Sequence, residues 1–332
     1  MGALFCLLSA AAFGAMAVFG KLSYDAGVSV DALLLVRFGI AGTVLLIVAL
    51  ARGALRNLPR RAVLVGLGMG VFGYAAQAGL YFSALARIDA SLVALILYVY
   101  PVLVMVGAVV LRREQASRRR VWALGLALAG IVLVLSGAAT GGFDVVGALL
   151  AFGAATVYTV YILVGDRTTA HVPPLALAAL VCIGAFGTFL VTGLFRGGTD
   201  LGFAPAGWLW LVALALVSTV AAILLFFAGM ARVAPSVASI LSILEPVVTV
   251  VAAAVVFGEQ LSVTQWFGGA LVLSAVLVVQ LPGRVAGQPG WQAGALLRAP
   301  FARAARLRFA AAPDQAARHS PCACSEPKSP AA

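Results

Sequence analysis

The chain has 332 residues, of which 63% are hydrophobic and 10% charged, with a formal net charge of +11. A soluble domain carries about 25% charged residues, so this chain cannot cover a water-facing surface and most of it must be solvated by lipid. The positive charge does not indicate a nucleic-acid binder, because it lies in short clusters between apolar runs and towards the C-terminus rather than along one soluble face.

A hydrocarbon core of ~30 Å needs about 20 apolar residues at a rise of about 1.5 Å each. In chain order the sequence predicts spans over residues 2–20, 30–51, 62–84, 89–111, 121–138, 144–165, 173–195, 207–230, 235–257 and 264–282. The expected fold class is an all-α integral membrane protein of ten transmembrane helices. The first run has only Met1 and Gly2 before it and similar runs after it, so it is read as a retained helix rather than a leader. Polar or turn-rich segments separate the spans, among them residues 52–61, Gly141-Gly142 and Gly197-Gly198. Beyond residue 282 the composition shifts to Ala, Pro, Arg and Gly. Residues 283–332 are read as a basic cytoplasmic tail without a packed core, in which 301–309 has the pattern of a short turn on anionic headgroups.

The chain repeats itself. A shift of 145 residues maps Ala86-Arg87 onto Ala231-Arg232, Ser91 onto Ser236, and Pro101-Val102 onto Pro246-Val247. The same shift maps Glu114-Gln115 and Ser117 onto Glu259-Gln260 and Ser262, and Gly42-Thr43 onto Gly187-Thr188. Apolar matches arise by chance in such a composition, but Arg, Pro, Glu, Gln, Ser and Gly in one register indicate duplication. The expected organisation is two five-helix units, 1–138 and 144–282. An odd number of helices per unit inverts the second. With the N-terminus inside, cytoplasmic segments hold 18 Arg and Lys residues and external loops hold three, Lys21, Arg87 and Arg196. That bias places both termini in the cytoplasm.

Inverted repeats with interrupted helices mark secondary transporters, whose sites lie near the bilayer midplane. Pro101 and Pro246 sit mid-span at equivalent positions, where each removes a backbone donor and frees a carbonyl, of Leu97 and Ser242. Two charges lie within spans, Arg37 in the second and Glu245 in the ninth. Each costs about 2.5–3.5 kcal/mol at a helix centre, so both are expected to face the bundle interior. Opposite signs from opposite halves point to an ion pair or a shared polar network. It would serve substrate recognition, proton coupling through Glu245, or simply the locking of two helices; Arg37 alone could also snorkel outward. Ser239, Ser242, Glu245 and Thr249 share one helix face, as do Tyr74, Gln77 and Tyr81, while Tyr98, Tyr100, Tyr158 and Tyr161 supply further aromatic hydroxyls. The expected substrate-binding set is Arg37, Tyr74, Gln77, Tyr81, Tyr98, Tyr100, Tyr158, Ser242 and Glu245, suited to a small amphipathic molecule.

Other motifs fail on context. Gly68-Met69-Gly70-Val71-Phe72-Gly73 fits a dinucleotide fingerprint but lies inside an apolar helix, where glycines allow close helix approach. Cys6 and Cys182 read as small packing residues, and Cys322, Cys324 and His319 supply too few ligands for zinc. No cofactor, metal or nucleic-acid partner is expected. An integral membrane enzyme would want clustered acids or histidines at one interface, and a receptor or assembly subunit would need no midplane charges; neither pattern accounts for the paired breaks.

On these residues the chain resembles an EamA-type carrier of the drug/metabolite transporter superfamily, over about residues 2–282. The likeness rests on Leu35-Val36-Arg37-Phe38, Tyr100-Pro101, Glu245-Pro246, Glu114 and Glu259, together with the two five-helix repeats. It implies an alternating-access carrier in a bacterial inner membrane, multi-pass, often an exporter of amino acids, other metabolites or toxic compounds. Phe13-Gly14 departs from the family, which often has tryptophan before a small residue there, and so bears on the pocket.

Overall fold

Long runs of Leu, Val, Ala and Ile satisfy their own backbone groups in lipid only as helices. In the computed structural model, which describes residues 1–111, 118–138, 144–168, 172–230, 232 and 241–280, the described residues form helices and no strand. They are α1 (Gly2–Gly14), α2 (Met16–Asp25), α3 (Val30–Ala51), α4 (Arg60–Gly68), α5 (Ala75–Leu85), α6 (Ala90–Leu97) and α7 (Tyr100–Val110). There follow α8 (Arg118–Ala138), α9 (Val145–Thr168), α10 (Pro174–Phe195), α11 (Pro205–Ala215), α12 (Ala222–Met230), α13 (Leu244–Phe257) and α14 (Val263–Gln280). π-helical turns over Met69–Tyr74 and Leu216–Ala221 join α4 to α5 and α11 to α12.

Seven of the resulting rods are long and apolar enough to cross a membrane: Gly2–Asp25, Val30–Ala51, Arg60–Leu85, Ala90–Val110, Val145–Gly165, Pro174–Phe195 and Pro205–Met230. Three shorter apolar helices, Val121–Val134, Leu244–Phe257 and Val263–Val278, lie beside them. The protein is therefore an all-helical, multi-pass membrane protein. Its surface agrees with lipid as solvent, since Phe72, Val255 and Phe195 are 80%, 79% and 88% exposed. In water such residues would mark aggregation or docking patches.

The predicted ends hold within a few residues, with one informative difference. The first rod runs on to Asp25 rather than stopping near residue 20, because the Lys21 ammonium is held by Glu259 at 2.8 Å and need not end the helix in water. Glu114, Ser236, Ser239, His171, His319, Cys322, Cys324 and the tail 283–332 lie outside the described residues, as does the start of the ninth predicted span, 235–240.

Packing between rods is set by small residues. α3 lies along α10, and α8 along α14. At the second contact a Cβ on Gly130 would sit 2.7 Å from the Gly268 carbonyl, so only glycine permits this approach. Gly66 and Gly70 face Leu180, Val181 and Gly184 of α10, and Gly73 faces Tyr161; Gly70 and Gly73 belong to the rejected dinucleotide pattern, whose third glycine, Gly68, meets nothing within 4 Å. α1 packs on α12 and α13, and α9 packs on α5 and α7. Thr249 of α13 donates to the Gly14 carbonyl of α1 at 2.9 Å. The broken rods α6–α7 and α13 are thus held by α9 and α1, respectively.

Candidate functional site

The prolines act on the backbone where the sequence places them. Pro101 stands at the second position of α7, after a break at Tyr98 and Val99 that separates α6 from α7. Pro246 stands in the first turn of α13, after a turn at Ser242 and Ile243. The Ser242 carbonyl, which Pro246 cannot serve, takes a hydrogen bond from the Tyr98 hydroxyl at 2.5 Å. One break therefore satisfies the other: the residue that ends α6 caps the residue that precedes α13. Ser242 meets Tyr98 through its backbone carbonyl.

Arg37 is 1% exposed, the largest fully buried side chain among the described residues, and does not snorkel. Its Nε donates to Thr219 Oγ1 at 3.0 Å, in the second π-helical turn. Its guanidinium lies 5.1 Å from the Phe38 ring and 5.2 Å from the Phe82 ring, a cation–π sandwich that offsets part of the desolvation. Nη2 is buried without an acceptor. The expected ion pair with Glu245 is absent among the described residues. Thr219 and two rings take the place of the carboxylate.

Arg37 and Glu245 nevertheless face one cavity of about 130 Å³. Of the predicted residues, Arg37, Tyr74, Gln77, Tyr81, Tyr98, Tyr158, Glu245 and Pro246 line it, whereas Tyr100, Ser242 and Pro101 do not. Tyr100 instead packs edge-on against Tyr158, with ring centroids 4.6 Å apart, and against Tyr98 at 5.7 Å. Tyr158, Tyr161, Tyr74 and Phe38 continue this aromatic wall. Thr249, from the predicted polar face of α13, and Leu97, whose carbonyl the Pro101 break was expected to free, also line it, and Phe13, Met16, Ala78, Phe82 and Ala94 complete the lining without having been predicted. For Phe13 a signal existed, in the departure at Phe13-Gly14; the others look in sequence like any lipid-facing residue. Among the described residues no three His, Cys, Asp or Glu side chains come together as metal ligands.

A second polar cluster closes one end of the same helices. Glu259, beyond α13, accepts from Lys21 Nζ at 2.8 Å, from the Ala90 and Ser91 amides at 3.0 and 3.1 Å, and from Ser91 Oγ at 2.7 Å. It thereby caps the N-terminus of α6, where the helix dipole favours a negative charge. Burial alone pushes the Glu259 carboxyl up, but Lys21 and the Ser91 hydroxyl and amide together outweigh it and hold the group below the ordinary glutamate range.

The EamA-like transporter family matches this chain twice, over residues 1–136 and 145–281. An uncharacterized transporter of Archaeoglobus fulgidus is 30% identical over 220 residues, covering 64% of this chain and 74% of that protein. Uncharacterized transporter YwfM of Bacillus subtilis is 32% identical over 174 residues, 52% of this chain and 58% of its own. Uncharacterized transporter YcbK of the same organism is 25% identical over 277 residues, 80% of this chain and 88% of its own. One crystal structure superposes with a TM-score of 0.61 over 84% of this chain and 96% of its own, at 24% identity, a likeness of fold alone. An all-helical membrane fold, a polar cavity between broken helices and a family match that takes in both halves lead to one conclusion: the chain belongs to the EamA-like transporter family.

Proposed function

We propose that this transporter is a secondary carrier that exports a small metabolite, an amino acid, a related metabolite or a toxic compound, across a bacterial inner membrane by alternating access. In this reading ten spans form two inverted five-helix repeats, with both termini cytoplasmic. The repeat is supported by the 145-residue register and by the family's two separate matches. The observation that carries the function is the cavity itself, in which two oppositely charged side chains, Arg37 and Glu245, face one space without pairing with each other.

Charges left unpaired in low dielectric are costly unless a ligand or proton completes them. Arg37 would take an anionic group of the solute. Glu245 would take a cationic group or a proton, which also makes it the candidate for coupling to the proton gradient. Tyr74, Gln77, Tyr81, Tyr98 and Tyr158 would hold the neutral remainder. A space of about 130 Å³ is well under the ~300–1,000 Å³ of pockets for drug-sized ligands, which favours a small solute. Purified protein in proteoliposomes, screened with radiolabelled small metabolites with and without an imposed pH gradient, tests the reading. Saturable flux that Glu245→Gln removes is expected; no flux of any solute above empty liposomes would reject it.

A further inference from the structure

We infer that Glu259 is the latch of a gate: its hold on the N-terminus of α6 and on Lys21 shuts the cavity at this end of the molecule, and its release opens it. The inference rests on the reading that a solute passes through the cavity. Three helices connect the cavity to the Glu259 end. α2 brings Met16 to the cavity and Lys21 to the latch; α6 brings Ala94, Leu97 and Tyr98 to the cavity and Ser91 to the latch. α13 brings Glu245, Pro246 and Thr249 to the cavity and leads to Glu259. From Thr249 to Glu259 the path is about 15 Å, and from Tyr98 to Ser91 about 10 Å, at about 1.5 Å per residue.

α6 is a short rod set off from α7 by the break. It has eight residues, ends at the backbone break at Tyr98 and Val99, and is tied at its other end by Glu259. A short rod with a hinge at the cavity and a tether at the surface is a hinged gate, because freeing the tether leaves the hinge to absorb the motion. α13 has the matching form, with a turn at Ser242 and Ile243 at its start and the left-handed Gly258 (φ 67°) immediately before Glu259.

Two other ion pairs lie near helix ends on this side, Arg87–Asp144 at 3.2 Å and Arg196–Asp31 at 2.8 Å, but their side chains are 31–68% exposed. Exposed pairs contribute little. The Glu259 carboxylate is 6% exposed and accepts from four donors on two other helices, so the closed state depends on it rather than on the rim.

The test uses the full chain with Cys6, Cys182, Cys322 and Cys324 replaced by Ala and a reporter thiol introduced by Ala94→Cys on the cavity wall. An impermeant maleimide is applied separately to each side of oriented proteoliposomes, without substrate. Glu259→Gln and Lys21→Met are each expected to raise labelling from the Glu259 side at least fivefold and not from the other side, with thermal unfolding still cooperative. Unchanged labelling in folded variants, or an equal rise from both sides, overturns the latch. If Glu259→Gln fails to fold, Lys21→Met and the milder Ser91→Ala decide by the same criterion. Labelling is read without transport, so a latch response in a protein that moves no solute would fault the transport reading alone. Intact flux with no latch response would fault the latch alone.

Discussion

Glu245 and Glu259 stand at opposite ends of α13, and their surroundings could hardly differ more. Glu259 is met by an ammonium, two backbone amides and a hydroxyl. Glu245 faces the cavity, where among the described residues no side chain or amide donates to it, although Arg37 lines the same space. A carboxylate whose acceptor sites are filled by the protein holds helices together. One whose acceptor sites are empty in a confined space leaves them to something that comes and goes.

The largest expected effect follows from the emptier of the two. Glu245→Gln keeps shape and removes charge, so solute flux in proteoliposomes should fall at least about 100-fold, about 2.7 kcal/mol of lost transition-state stabilisation. The midpoint of thermal unfolding should hardly fall, because no hydrogen bond from the described residues is broken. A folded variant with normal flux would remove Glu245 from the mechanism.

The comparison sharpens at Arg37. Breaking a truly buried ion pair costs about 3–5 kcal/mol, and a double variant would then recover most of that loss. Because Arg37 is held by Thr219 and the Phe38 and Phe82 rings rather than by Glu245, the stabilities of Arg37→Gln, Glu245→Gln and the double variant should combine with a coupling below about 1 kcal/mol. Chemical denaturation in detergent measures it. A coupling of about 3 kcal/mol or more, the size expected when a buried pair is broken, would restore the ion pair that the sequence alone suggested.

The contact between α1 and α13 just below Glu245 comes next. A Cβ at Gly14 would lie 2.7 Å from the Glu245 carbonyl oxygen and 2.9 Å from Val248 Cβ. Neither neighbour is the loose end of a side chain. Gly14→Ala should therefore push α1 from α13 and cost about 1–3 kcal/mol, read as a lowered unfolding midpoint. Gly68→Ala, which meets nothing within 4 Å, is the control and should leave the midpoint in place.

Which of these features were legible beforehand follows from the range of the interactions that make them. Spans, helix breaks and midplane charges are local: hydropathy, a proline or an uninterrupted apolar run announces each. The α3 bounds, Val30–Ala51, match the predicted 30–51 because Ser29 caps the helix and accepts from Ala32 at 3.2 Å. The π-helical turns were not legible, since nothing in Met69–Tyr74 or Leu216–Ala221 forbids an ordinary helix. Yet one of them brings Tyr74 to the cavity, and the other brings Thr219 to Arg37. The Glu259 cap joins residues 168 and 169 positions apart, and no periodicity reports such a pairing. Tyr100 lies off the cavity lining for a related reason. Its residue type suits a cavity, but the break at Tyr98 and Val99 turns it towards Tyr158.

The smallest expected effect is an acid-side loss of stability at Glu259. Its folded pKa lies below the ordinary glutamate value of about 4.3, so folding favours the ionised form. The unfolded chain then binds more protons than the folded one between those two values, and stability rises with pH there. The contribution is complete above about pH 4.3 and is lost as pH falls through the depressed folded value. The charges facing Glu259 are Lys21 at 2.8 Å and Asp89, which lies 3.5 Å from Lys21 and is 62% exposed. Asp89 competes for the same ammonium but is mostly solvated, so its pair with Lys21 contributes little. Unfolding midpoints measured from pH 7 down to about pH 3 should therefore fall less steeply in Glu259→Gln than in the native chain below about pH 4.3. The two curves should run parallel above it. If they run parallel throughout, the four hydrogen bonds to Glu259 are no stronger to the carboxylate than to the acid, and the ionised cap on α6 is not what holds that end closed.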